Sequence, residues 1–111
     1  MTLLGIFEKV NLVMPLEQRR FFNYFNDTVN ELIALYGGFV LDSEEEYTPL
    51  KSLSDDIGVL PLYYPAIVDN ILFLGTKEEV YKTEFIRKSR TAYLKYWTDN
   101  AKGKRVKRVR W

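Results

Sequence analysis

Residues 61–74 read PLYYPAIVDNILFL, and this stretch decides the fold. Ala66, Ile67, Ile71 and Leu74 recur at helical spacing, while Leu62, Val68, Leu72 and Phe73 widen the apolar stripe nearly all the way round. The pattern predicts a helix over Pro61–Leu74. Pro65 sits in its first turn, where the missing N–H breaks no hydrogen bond. Gly75 is expected to stop it. A helix apolar on most sides is either central to a bundle or covered by a neighbouring subunit.

The flanking segments supply the partners. After Gly75, Thr76 with Glu79 three residues on reads as a capping box that opens a further helix. Tyr81, Phe85, Ala92, Tyr96 and Trp97 hold one face of it, and Lys77, Lys82, Arg87, Lys88, Arg90 and Lys95 hold the rest, with stops at Asn100 and Gly103. Upstream, Leu16 to Tyr36 is the clearest helix of the chain. Phe22, Phe25, Val29, Leu32, Ile33 and Tyr36 line one face, and Gly37-Gly38 ends it. At the N-terminus Thr2 caps a short helix whose stripe is Leu3, Phe7, Val10 and Met14, with Ile6 and Val13 beside it; Pro15 breaks it. Phe39-Val40-Leu41 reads as a short strand. Asp42 to Gly58 is a long, acidic, turn-rich connection with Pro49 and Gly58, from which Leu50, Leu53 and Ile57 fold back onto the core. The expected architecture is all-α: a small bundle of about four helices, residues 1–100, with a long acidic loop and an extended basic C-terminal arm, residues 101–111.

Composition narrows the function classes. The chain has 111 residues, 47% of them hydrophobic and 15% aromatic. That suffices for one core that buries about two-thirds of the surface of the unfolded chain. Cysteine and histidine are both absent, which removes disulfides, thiolate nucleophiles, zinc–thiolate sites and imidazole chemistry near neutral pH. The N-terminal stretch MTLLGIFEKV has no basic n-region and does not read as a signal peptide. The most apolar stretch, Val59 to Leu74, is interrupted by two prolines, Asp69 and Asn70, and is too short and polar for a membrane span. These features suggest a soluble intracellular protein.

Charge is distributed unevenly. The first 56 residues carry ten acids and four bases, and the remainder five acids and twelve bases, so a net of +1 hides halves of −6 and +7. The extreme is the C-terminus, KGKRVKRVRW over residues 102–111, with six cations and no acid. Such asymmetry indicates a charged partner, or copies of the chain meeting head to tail. Three readings of this segment stand open: a solvated tail, a grip on nucleic-acid phosphates, or an arm that orders on an acidic protein with Trp111 as its anchor.

Catalytic candidates are poor. Asp42, Glu44, Glu45 and Glu46 lack the alternating acids and central glycine of a calcium loop, and read as a solvated or intersubunit acidic loop. Asp55 and Asp56 are adjacent and diverge on most backbones. No glycine-rich phosphate loop is present. Ser43, Ser52, Ser54 and Ser89 have no histidine to activate them. The aromatic residues, Phe21, Phe22, Tyr24 and Phe25, then Tyr63 and Tyr64, then Tyr93, Tyr96 and Trp97, suit core and subunit interface better than base stacking, because helical spacing already accounts for several of them. The expectation is a non-enzymatic protein with no catalytic residue, metal or cofactor.

The organisation resembles the head–tail connector (adaptor, or head-completion) proteins of tailed bacteriophages over residues 3 to 97. A short helix leads to an aromatic-rich helix ending in NELIALYGG, then a variable loop, then LSDDIGVLPLYYPAIVDNILFLGTKEEVYKTEFIRKSRTAYLKYW. In that last stretch an Asp-containing turn and a Leu-Pro step precede an apolar helix. Gly75, Thr76 and Lys77 form the turn to a long helix with Phe85 at its midpoint and an Ala92-Tyr93 pair. The resemblance implies a virion structural protein at the head–tail interface, held in the host cytoplasm before assembly. It implies a ring homo-oligomer, a dodecamer in the family, beneath the portal protein, with a tail or stopper protein below and transient contact with the DNA channel. By that resemblance Lys102, Lys104, Arg105, Lys107, Arg108, Arg110 and Trp111 form a portal-docking arm, and Asp42, Glu44, Glu45 and Glu46 contact the next subunit or tail component. The alternatives are a small helical nucleic-acid-binding module that uses the same basic tail, and a small regulatory partner protein.

Overall fold

The computed structural model describes residues 2–101, without the side chains of residues 100 and 101. Among these residues the protein is an all-α bundle of four α-helices: α1 Leu3–Val13, α2 Gln18–Tyr36, α3 Tyr64–Thr76 and α4 Glu79–Ala101. α3 is the centre. Seven consecutive residues, Ala66 to Leu72, are buried in it, because α1, α2 and α4 all pack against it. Ala66, Ile67, Val68, Ile71 and Leu72 are thus covered within one chain, whereas Phe73 and Leu74 are half-buried and Leu62 is exposed.

Each helix is built as local chemistry requires. The Thr2 hydroxyl accepts the Gly5 N–H at 3.0 Å and caps α1. Leu3, Ile6 and Val10 are buried, and Phe7 and Met14 pack beside them. Val13, expected beside this stripe, is 55% exposed. α2 begins at Gln18 rather than Leu16. Pro15 has turned the chain, and the Leu16 N–H is taken by Asn11 Oδ1 at 2.8 Å instead of entering the helix. On α2 the buried face is Phe21, Phe22, Phe25, Thr28, Val29 and Leu32.

The segment expected as a strand, Phe39-Val40-Leu41, does not form one. Gly37–Val40 is a 3₁₀ turn, and pairing is limited to a single antiparallel bridge, Leu41 to Val59. The Asp42 N–H donates to the Gly58 carbonyl and the Leu60 N–H to the Val40 carbonyl, at 3.1 and 2.9 Å. The ladder stops there, since α2 delivers the chain through a tight turn at Gly37, whose φ is 73°, and the acidic loop leaves at once.

Two helix boundaries also differ from expectation. A 3₁₀ turn, Pro61–Tyr63, precedes α3, so Pro65 does lie in the first turn. Gly75 does not end α3. A Cβ there would come within 2.2 Å of Met14 Sδ, so the glycine is the place where the end of α1 presses against α3. The helix ends at the next residue, Thr76, and its C-cap, Lys77, takes the left-handed conformation, φ 64°. The Thr76–Glu79 capping box is therefore not formed. Thr76 is the last residue of α3; its hydroxyl donates to the Leu72 carbonyl and accepts the Glu78 N–H at 3.2 Å.

A polar network crosses the bundle. Asn70, fully buried on α3, donates through Nδ2 to the Thr28 hydroxyl (2.9 Å), and its Oδ1 accepts from Lys82 Nζ (3.3 Å). Lys82 also pairs with Glu31, and its ammonium lies 4.8 Å from the centre of the Phe85 ring. Lys88 reaches Asp69 at 2.7 Å. These contacts tie α2, α3 and α4 in one register, which an apolar core alone leaves free to slide.

Candidate functional site

The loop at 42–58 carries six acids against Lys51 alone. Asp42, Ser43, Glu44, Glu45 and Glu46 are all exposed. The loop is nevertheless held at a definite place by one side chain of α2. Asn26 Oδ1 accepts the Tyr47 hydroxyl at 2.6 Å and the Leu50 N–H at 2.9 Å, while its Nδ2 donates to the Leu50 carbonyl at 3.1 Å. Leu50 is buried, and Tyr47, Leu53 and Ile57 pack against the core, so the loop folds back as its apolar residues predict. Asp55 is committed to structure. Its Oδ2 accepts the Lys51 and Ser52 N–H groups at 2.8 and 3.0 Å, closing a turn.

A cleft of about 750 Å³ opens between this loop, the start of α1 and the start of α3. Asp42, Glu45, Glu46, Asp55 and Asp56 line it; Glu44 does not. Leu3, Leu41, Leu53, Ile57 and Tyr64 supply apolar and aromatic wall. Burial raises the Tyr64 phenol above its ordinary value, and the Asp42 carboxylate beside it adds to the effect. Burial likewise pushes Tyr47 up, against the hydrogen bond at the Leu50 backbone. Among the described residues no three acidic side chains converge to hold a metal ion. The cleft is a polar, acid-rimmed hollow suited to cationic or hydrogen-bonding groups.

Among the described residues, none from α4 lines the cleft. On α4 the aromatic residues form a cluster with the chain that follows α2. The Tyr36 and Tyr93 rings stack at 4.8 Å, and Phe39 lies 5.0 Å from Trp97. The Tyr36 hydroxyl meets Ser89 at 3.0 Å. Tyr63 lies fully buried beneath, its phenol raised first by burial and then by the neighbouring Tyr36, Tyr93 and Tyr96 hydroxyls. These rings are consumed in packing. No helix among the described residues is long and apolar enough to cross a membrane.

Of the contact residues expected from sequence, Asp42, Glu45 and Glu46 come together at the cleft with Asp55 and Asp56, and Glu44 points elsewhere. Lys102, Lys104, Arg105, Lys107, Arg108, Arg110 and Trp111 lie outside the described residues. Sequence reading missed Asn26, which anchors the loop, and Thr2, Leu3 and Tyr64, which complete the cleft. Asn26 is one of several polar residues on α2, and its partner is 24 residues away, so no local signal marks it. No family model matches the chain, and neither a curated protein nor a solved structure is significantly similar to it.

Proposed function

We propose that this chain is a head–tail connector subunit of a tailed bacteriophage, a non-enzymatic protein that packs side by side beneath the portal. The observation that carries this reading is the segregation of charge along one short chain. An acidic surface is built by residues 42–58, and the chain ends in six cations over residues 102–111. A ring needs a heterologous contact, in which two different faces of one chain meet and the rotation closes. An acidic loop that meets a different, cationic surface of the next copy satisfies that need and rejects the pairing of like with like, and residues 102–111 are then left for the portal. The order of helices, with an apolar central helix followed by a long one, supports the same family.

In this reading the helical body forms the ring wall, and the segment Lys102–Trp111 reaches to the portal. The described residues build a core of their own, so removing residues 102–111 should leave the fold intact and abolish attachment. The experiment mixes purified protein with portal-bearing particles of its own source and images the vertex by electron microscopy. Ring density under the portal with full-length protein, and none with the truncated chain, supports the proposal. Bare vertices with full-length protein refute it. A nucleic-acid function makes a different forecast. Six phosphate contacts give a slope of about −5.4 for log K against log salt.

A further inference from the structure

α4 leaves one face uncovered, and that face has a definite chemistry. The exposed residues from Val80 to Thr98 comprise three cations (Arg87, Arg90, Lys95), three aliphatics (Val80, Ile86, Leu94) and three threonines, and Glu79 at the start of the helix is exposed on the same arc. Apart from Lys95, they fall within about 140° of arc at ~100° per residue, opposite the buried Phe85, Ser89 and Ala92. Val80, Ile86 and Leu94 are 60, 42 and 57% exposed. Arg87 is held in place by Glu84, which it meets through two nitrogens at 3.2 and 2.6 Å, and Lys95 lies 3.4 Å from Asp99. Arg90 lies in the middle of the stripe between Ile86 and Leu94.

We infer that the outer face of α4 docks against the acidic 42–58 loop of a second copy of this chain. The inference rests on the side-by-side assembly proposed above and names the faces that meet. Two features argue for this occupant. The acidic loop is opposite in charge to Arg90, which makes no ion pair among the described residues, and no described α4 side chain reaches the cleft that the loop rims. The exposed aliphatics also favour a protein over a nucleic acid, because a phosphate backbone offers them nothing to pack on, whereas the Leu53, Ile57 and Tyr64 walls of the cleft do. Arg90 is the central contact, with Ile86 and Leu94 on either side of it.

Size sets the strength. The stripe is about 27 Å long and one helix wide, a footprint of roughly 300 Å². A stable interface buries about 800 Å² on each partner. The contact alone is therefore weak, and it is steered by exposed charges that salt screens within about 8 Å at physiological ionic strength but only within about 30 Å at 0.01 M.

The test is sedimentation velocity of the full-length protein over a concentration series at low salt and again at physiological salt. Wild-type protein self-associates at low salt and less so at physiological salt. Arg90→Glu weakens self-association by about tenfold or more, and so does the double reversal Glu45→Lys with Glu46→Lys. Both sets of substitutions are at exposed positions, and unchanged circular dichroism verifies the fold. Mixing the two variants restores association, since the reversed α4 face of one then meets the reversed loop of the other. Wild-type protein that stays monomeric at low salt overturns the inference, as does self-association that neither variant alters. Duplex DNA bound by wild type and lost in Arg90→Glu, without self-association, assigns the face to nucleic acid instead. A ring on the portal vertex formed equally well by wild type and Arg90→Glu eliminates this interface while leaving the connector reading in place.

Discussion

Replacing Asn26 with alanine should release the acidic loop. The substitution deletes three hydrogen bonds, to the Tyr47 hydroxyl and to both the N–H and the carbonyl of Leu50. Each is worth about 0.5–1.5 kcal/mol net, and more where it leaves a buried backbone group unpaired. Leu50 is 4% exposed, so its peptide groups regain water only if the loop lifts. The expected cost is about 2–4 kcal/mol, or roughly 10–20 °C in Tm for a domain of this size. The cost has a ceiling. Once it exceeds the free energy that holds the loop down, the loop opens locally and global stability falls no further. Two assays are therefore needed together: urea denaturation for the global term and limited proteolysis for cleavage within residues 42–58. Tyr47→Phe is the graded control. It removes one of the three bonds and leaves Asn26 Oδ1 still paired with Leu50, so it should cost about 1 kcal/mol. If Asn26→Ala unfolds at the wild-type urea concentration and shows no new cleavage in the loop, the side chain is not the anchor and the reasoning fails.

Other consequences follow from single features. Lys77 ends α3 in the left-handed region, where a side chain costs about 1 kcal/mol, so Lys77→Gly should raise stability by roughly that amount in denaturant titrations. The Tyr63 hydroxyl is buried with no hydrogen-bond partner among the described residues, and Tyr63→Phe should be neutral or stabilising by about 1 kcal/mol, read as an unchanged or raised Tm. Burial raises the phenols of Tyr47, Tyr63 and Tyr64 above their ordinary value of 10.0. A raised folded-state value means that the folded state holds its protons longer than the unfolded one. The contribution is full below about pH 10 and is lost as pH climbs from there toward the folded-state values. Urea midpoints should fall on the alkaline side, and the phenolate absorbance that Tyr47→Phe, Tyr63→Phe and Tyr64→Phe each remove should appear only as the wild-type chain unfolds; its appearance near pH 10 in the folded protein would contradict the burial.

Much of this architecture is legible in the chain itself. Apolar spacing along 3–14, 22–36 and 61–74 is a local property, and most of each stripe packs in the core, Leu74 being half-buried outside it. The apolar residues at 62–74, spread nearly all round the helix, mark its central place, though burying Asp69 and Asn70 as well took polar partners on α2 and α4. Turn chemistry was a poorer guide. Gly75 looks like a stop and is a packing site, because Met14 lies against it from 61 residues away in the chain. Lys77 carries the left-handed turn that glycine usually takes, since α4 has to cross α3 at the register set by Asn70, Lys82 and Lys88. Phe39 to Leu41 has strand composition and finds only Val59 to pair with.

The candidate site divides in the same way. Composition alone determined that residues 42–58 are acidic and that the chain ends in a basic block, because charge is additive and needs no fold. Tertiary structure alone decided that Asp42, Glu45, Glu46, Asp55 and Asp56 share one cleft, that Asp55 is spent on a turn, and that Asn26 holds the loop. The same holds for the uncovered face of α4. Helical periodicity places Val80, Ile86, Arg90 and Leu94 on one side of the helix, but only packing shows that this side faces away from α3. Periodicity is set by neighbours a few residues apart, whereas a cleft or an open face is set by which distant segments come to rest against each other.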